Sequence, residues 1–421
     1  MLEILRVHIA RVPMERPFAH TAHARARTES VLLSLRWQGF EGWGEGAPRP
    51  YVTDETAESA VAALQALDTA LLEPLLAADG FSGAVAALAS LDLPRLLGGL
   101  HRAPAAAAAL ETALLDAVCR RHRRPLADVL DACPWAADAL AAPGGAPPVS
   151  QVVDLSRTPE ELLGAMPDAV RARLTHVKLK ALPSPEETAE RARSARALLG
   201  PGVRLSVDAN CGWEPEHAEA GARLLREAAA VDWIEEPTTP RQWTVLHRIQ
   251  QAGMPVMLDE SAVDPADVTW AAAAGAAALV NIRVSKCGGL LPALRTAVRA
   301  RECGMRVQLG VQVGEIGPLW SAGRTLAARL ADLAAVECGR QDEWFPEPLT
   351  VPPYRADRER HAAPPPPGMG HGLRPSPALA PHLTVRSAPG ADIGRPARQP
   401  ASSETNASET HEGDLWTSHG S

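Results

Sequence analysis

From residue 149 onward the chain settles into one rhythm, a short apolar run followed by an amphipathic stretch, repeated to about residue 340. Candidate strands lie at 149–154, 176–180, 204–208, 233–236, 256–259, 279–285, 305–311 and 335–338. Segments with helical periodicity, such as 185–199, 215–229, 266–274 and 290–303, separate them. Apolar runs too short for helices, alternating with stretches of period 3.6, make βα units. Successive units line their strands up in parallel because each helix carries the chain back to the starting edge. About eight units predict an α/β fold closed into a barrel.

The same rhythm places chemistry. Polar side chains fall where successive strands end: Lys178 and Lys180 in VKLK, Asp208 and Asn210 in SVDAN, Glu235 and Glu236 in WIEEP, Asp259 and Glu260 in MLDES, and Lys286 in NIRVSKCGG. Consecutive groups are 24 to 28 residues apart, one βα unit each. They should therefore gather at the C-terminal mouth of the barrel, the face where this architecture keeps its active sites.

Composition matters most through lysine. Of 42 basic residues only Lys178, Lys180 and Lys286 are lysines. Arginine serves for surface charge but does not usefully deprotonate, whereas a buried lysine can. A chain that writes arginine nearly everywhere and keeps lysine at the mouth of a barrel points to a need for a titratable amine there. Lys178 and Lys180 alternate by two and face the same way. As neighbouring like charges they are expected to depress each other's pKa, leaving one of them able to act as a base. Asp208, Glu235 and Asp259 come from three consecutive strands. Any one alone would pass as a helix cap, but together they form an all-oxygen site suited to Mg²⁺, with Mn²⁺ as a substitute. No His or Cys stands with them, which disfavours zinc. Lys286, from the far side, would leave a substrate carboxylate lying between opposed lysines.

The series KLK, DAN, EEP, DES and SKCGG resembles the muconate-lactonizing-enzyme subgroup of the enolase superfamily over about residues 1–355, and GWGEGAPRPYVTDET resembles the part of its capping domain that passes the active-site mouth. The resemblance implies a modified (β/α)₇β TIM-like barrel with an N-terminal α+β capping domain. It implies Asp208, Glu235 and Asp259 as metal ligands, Lys180 and Lys286 as opposed acid/base groups, and Lys178 as pKa support and carboxylate contact. Asn210 and Glu260 would orient the metal site and Lys286, and Glu236 would not be a ligand. Glu315, in GVQVGEIG, stands where the family places a polar group near the substrate carboxylate; its alternative is a structural cap. His20 and His23 are either part of a loop closing over substrate or ordinary surface histidines. Cys287 is expected to pack rather than react.

The reaction implied is proton transfer next to a carboxylate through a metal-stabilised enolate. Two lysines favour epimerisation or racemisation. Cycloisomerisation and dehydration to o-succinylbenzoate are the alternatives, and a non-catalytic binding protein is a third. The stretch VECGRQDEW lacks the Asp-x-Asp pattern of the family's dipeptide epimerases. The mandelate-racemase pattern KxH is absent too.

The expected organisation is a capping domain at 1–135, a Pro/Gly linker at 141–148, a barrel at 146–340, a segment at 341–357 returning to the capping domain, and a disordered Pro-rich tail at 358–421. A formal net charge of −8 leaves no basic footprint for nucleic acid. The first residues lack a signal-peptide core, and no run is long and apolar enough to span a bilayer. Six scattered cysteines without a CxxC pair fit a reducing compartment, so a cytoplasmic location is expected. The partner is a small carboxylate substrate, and family members are commonly homo-oligomers.

Overall fold

The structure is a computed structural model that describes residues 2–19, 24–73, 77–142, 144–337, 343–353 and 355–386. The chain opens with β1 (Leu2–Ala10), β2 (Pro13–Ala19), β3 (Ala24–Arg27), β4 (Ser30–Trp37) and β5 (Phe40–Gly46). Strands β1, β4 and β5 form an antiparallel sheet, while β2 and β3 form a separate hairpin.

The glycine-rich turn of the sequence has a clear purpose here. Gly42, Gly44 and Gly46 alternate along β5 and so share one face. A Cβ on them would stand 2.1, 2.2 and 2.0 Å from the carbonyl oxygens of Ala113, Ala109 and Ala105. Those carbonyls repeat every four residues along the buried helix Pro104–His122. Strand and helix therefore touch backbone to backbone, and any larger residue would force them apart. Trp43 and Glu45 point the other way, toward the barrel.

The barrel strands are β6 (Gln151–Val153), β7 (His176–Lys180), β8 (Arg204–Asp208), β9 (Trp233–Glu235), β10 (Val256–Leu258), β11 (Leu279–Ile282), β12 (Arg306–Leu309) and β13 (Ala335–Val336). They pair in parallel in chain order. A bond from Ser150 N to Val336 O, 2.7 Å, joins the first edge to the last and closes the ring. Regular helices follow β7 to β12, among them Pro185–Leu199 and Leu290–Glu302. Short helical turns follow β6, and among the described residues no α-helix follows β13, only the 3₁₀ turn Pro377–His382. That is the expected (β/α)₇β arrangement. No single helix among them is long and apolar enough to cross a membrane.

Two expectations need correction. The run 279–285 is not one strand: it ends at Ile282, and Val284–Cys287 forms a single helical turn capped by Gly288 at φ +99°. Lys286 thus sits on a turn above the strand. The tail does not become disordered at 358. Residues 357–363 lie against the start of the barrel, with Val149 N donating to His361 O at 2.7 Å, and residues 370–386 fold back on the capping domain; β14 (Thr350–Val351) pairs with β15 (Arg374–Pro375), and β16 (Leu383–Arg386) pairs antiparallel with β1. Leu373 and Leu379 are buried, and buried His371 donates its backbone N–H to Asp116 Oδ1 at 3.0 Å. The Pro-rich composition concealed this because the segment contributes few apolar residues. Its main service is to pair the edge of β1, which would otherwise leave backbone groups without partners. Residues 387–421 lie outside the described residues.

Candidate active site

The parallel register sets Lys180, Asp208 and Glu235 side by side across β7, β8 and β9. Asp259 follows β10 directly. Because β7 and β11 are four strands apart in a ring of eight, Lys180 and the turn bearing Lys286 face each other across the mouth. Lys178, Lys180, Asp208, Glu235, Asp259 and Lys286 are all buried.

Their contacts form one network. Lys178 Nζ lies 2.6 Å from Glu235, 2.6 Å from Glu337 and 3.5 Å from Asp208. Lys180 Nζ donates to Asp208 Oδ2 at 2.6 Å and to Asn210 Oδ1 at 2.8 Å. Lys286 Nζ donates to Asp259 O at 2.6 Å, Asp259 Oδ1 at 2.9 Å and Asn281 O at 2.8 Å. Arg283 makes a close ion pair with the other Asp259 oxygen.

The electrostatics separate the lysines. Burial alone would lower the pKa of Lys178, but Glu235, Glu337 and Asp208 outweigh it and push the amine up. The expectation that Lys178 would be depressed by its neighbour is therefore corrected. Sequence spacing brought the two amines together, but the three carboxylates around Lys178 decide its charge. Burial would likewise raise Asp208, yet Lys180 and Lys178 hold it below the usual carboxylate range. Lys286 goes the other way: burial, with Arg283 adding to it, lowers its pKa to about 8.

A second layer fixes these groups. Glu235 accepts from Asn281 Nδ2 at 2.8 Å on one oxygen and from Gln308 Nε2 at 3.3 Å on the other, the one that also meets Lys178. Glu236 accepts from the backbone N–H groups of Asp259 (2.7 Å) and Ser261 (3.1 Å) and from the Ser261 hydroxyl, so it shapes the turn that presents Asp259. Asn210 orients Lys180 and donates its own N–H to Asp208. Glu260 is buried, and burial with the nearby Glu236 and Asp208 raises its pKa to about 8. Asn281, Gln308, Arg283 and Glu337 escaped the reading of the sequence. Their signal was a polar residue inside or just past an otherwise apolar barrel strand.

The capping domain holds the other half. Glu45 accepts from the backbone N–H groups of Ile316 (2.7 Å), Gly317 (2.9 Å) and Leu319 (3.4 Å), at the start of the barrel helix Pro318–Arg329. Glu111 accepts from Leu290 N and Leu291 N, both at 2.8 Å, just beyond the Lys286 turn. Ala47 N donates to Ser285 Oγ at 2.9 Å. Carboxylates on helix N-termini thus dock one domain on the other. Phe18, from β2, lies with its ring 5.9 Å from Lys180 Nζ and helps to wall a cavity of about 90 Å³ beside Lys178 and Lys180.

Other expected residues are placed differently. Buried Glu315 accepts from Gln312 N at 2.8 Å, closing the loop after β12, and Gln312 rather than Glu315 lines the cavity. Cys287 is buried packing, as expected. His20 and His23 lie outside the described residues.

The three carboxylates suit a hard divalent cation by their donor atoms. Among the described residues no three His, Cys, Asp or Glu side chains already converge as a cage. Lys178, Lys286 and Arg283 lie against the carboxylates instead, as buried anions require some counter-charge. The all-oxygen set and the amide donors aimed at Glu235 are what such an ion needs from its ligands and from the groups behind them.

Residues 162–377 match the family described as enolase C-terminal domain-like, and residues 4–131 match the mandelate racemase / muconate lactonizing enzyme N-terminal domain. The chain is 26% identical to the L-Ala-D/L-Glu epimerase of Bacillus subtilis (strain 168) over 318 residues, which is 74% of this chain and 81% of that protein. It is 24% identical to the N-succinyl-L-Arg/Lys racemase of Bacillus cereus over 344 residues, covering 80% of this chain and 87% of the relative. The crystal structure of that racemase superposes with a TM-score of 0.74 at 21% identity, covering 91% of this chain and 100% of the other. A dipeptide epimerase from Enterococcus faecalis V583, solved with Mg and the dipeptide L-Leu-L-Tyr, superposes with a TM-score of 0.71 at 20% identity, covering 88% and 99%.

Proposed function

Because this chain belongs to the enolase superfamily, in its mandelate racemase / muconate lactonizing enzyme group, we propose that it is a Mg²⁺-dependent isomerase that moves the proton next to a substrate carboxylate, in the manner of an epimerase or racemase. The observation that carries this reading is the pair of buried amines, Lys180 and Lys286, on opposite sides of a ring of carboxylates. Epimerisation needs a base on one face of the carbon and an acid on the other, and two opposed lysines supply both.

Asp208, Glu235 and Asp259 would hold the ion, and Asn281 and Gln308 would keep Glu235 turned toward it. When bound, Mg²⁺ would anchor the substrate carboxylate and offset the negative charge that develops as the α-proton leaves. Lys180 takes that proton on one face, oriented by Asn210, while Lys286 returns one on the other. Lys178, kept charged by the carboxylates around it, adds fixed positive charge beside the substrate carboxylate. The capping domain shuts out water with Phe18.

The test is proton exchange followed by NMR, with Mg²⁺ in D₂O and a panel of N-acyl amino acids, dipeptides and muconates. Deuterium should enter the α-position and stop doing so after chelation, and in Lys180→Ala and Lys286→Ala. Undiminished exchange in both variants would remove the two-lysine mechanism. Ring closure without α-exchange would turn the reading to a cycloisomerase.

A further inference from the structure

The residues that open the barrel strands gather on the barrel floor, at the end away from the carboxylate ring. Arg204 is the first residue of β8 and Arg306 the first of β12. Leu205, Val207, Val307 and Leu309 belong to the core between strands and helices, so the alternating Arg204 and Arg306 point toward the barrel axis. Their strands are four apart in the ring of eight, which sets the two guanidiniums on opposite sides of the floor. Neither side chain makes a hydrogen bond or an ion pair with another described residue. The carboxylate of Asp232 is near enough to act on Arg204. It is already taken, accepting from Leu205 N at 2.8 Å and lying 3.3 Å from Arg196 Nη2. After burial, the charge of Arg306 lowers the pKa of Arg204, so the two like charges act on each other across the floor.

A third donor stands on the same layer. Trp233 opens β9, is buried, and stacks on His176 with ring centroids 4.8 Å apart. Its Nε1 is shielded from water and has no hydrogen-bond partner. Bulk water is enough to solvate Arg306, which is exposed, but it does not reach Trp233 Nε1 and only partly reaches Arg204. Beside Arg204 lies a cavity of about 220 Å³, lined on its polar side by Arg204, His176, Ser150 and Thr175 and on its apolar side by Pro148 and Leu333. That is far above the roughly 10–15 Å³ that admits one water. Two guanidiniums and an indole N–H offer donors only. They repel a cation and leave their charge unmet by a neutral group, whereas an oxyanion with several acceptor oxygens can meet donors from different sides.

The floor is also close to the reacting end. Ser150 lines both cavities. Its Oγ meets His176 Nδ1 at 2.7 Å, and His176 Nε2 meets Ser206 Oγ at 2.9 Å. His176 stands two residues before Lys178 on β7 and faces the same way. One layer of side chains therefore separates the floor from Lys178.

We propose that the barrel floor is a second binding site, for a phosphate-type oxyanion held between Arg204 and Arg306, either the free ion or a phosphomonoester. This goes beyond the isomerase reading and stands whether or not that reading holds.

The test uses the full chain with Mg²⁺ at constant ionic strength, titrated by calorimetry with inorganic phosphate, with glycerol 3-phosphate and with sodium chloride. At least one of the two phosphates should bind, once per chain. Tighter binding of the ester would assign the site to phosphomonoesters, and tighter binding of inorganic phosphate to the free ion. Arg204→Gln and Arg306→Gln should each weaken that binding on the order of tenfold or more, and Arg306→Lys should keep part of it. Lys180→Ala should leave it unchanged. Urea midpoints without phosphate check that the variants fold. No saturable binding beyond what chloride gives, or binding unchanged in both Gln variants, would overturn the site. Binding that survives in those variants and disappears in Lys180→Ala would put the ion among the reacting lysines and overturn it as well.

Discussion

Glu111 offers a sharp test of how the domains are joined. Its side chain leaves the buried helix Pro104–His122 and receives the N–H groups of Leu290 and Leu291. Burial raises its pKa from 4.5 to about 7, although those two bonds work against the shift. A carboxyl raised on folding contributes stability that is fully present below its unfolded pKa and lost as pH climbs through its folded one. The window is therefore pH 4.5 to about 7. Over it the native state loses on the order of 3 kcal/mol, by the usual conversion of a pKa shift to free energy. Glu111→Gln cannot ionise. At pH 5 it should be less stable than wild type by about 1–3 kcal/mol, because an amide presents one acceptor where two donors wait. At pH 8 the gap should close or reverse, since the wild type then carries a buried charge. Urea midpoints at pH 5, 6, 7 and 8 measure this directly. A constant offset across that range would show that Glu111 does not titrate on folding, and would refute the account of the docked carboxylate.

Two further outcomes are expected. Ending the chain at 357 should lower the urea midpoint clearly, since burying Leu373 and Leu379 is worth roughly 1.5–3 kcal/mol each and the edge of β1 loses its partner, whereas ending it at 386 should change little; equal stability of the two truncations would mean that β16 contributes nothing. Asp259→Asn should weaken Mg²⁺ binding at least tenfold in calorimetry with no substrate present, and an unchanged affinity would remove Asp259 from the ligand set.

The gathering of the candidate site residues was legible in the chain because it depends on residue types recurring at the βα period. Lysine at Lys178, Lys180 and Lys286 and nowhere else, and carboxylates at successive strand ends, survive any uncertainty about packing. The parallel registers bring those positions to one mouth in the order in which they occur. Gly42, Gly44 and Gly46 could be seen as a turn-rich stretch, but their function as a contact surface for the helix Pro104–His122 could not.

What tertiary structure decided were the long-range terms. The charge on Lys178 follows from Glu235 and Glu337, 57 and 159 residues away along the chain, and no local rule foresees that encounter. Glu45 and Glu111 look like ordinary carboxylates of a helical domain until the barrel helices present their N-termini to them. The segment 358–386 reads as a polypeptide too poor in apolar residues to fold alone, and it is ordered because β1 supplies a hydrogen-bonding edge already built. Periodicity is a local property and is written in the sequence. Electrostatic environment and strand partnership depend on which distant groups folding brings together, and only the assembled fold determines them.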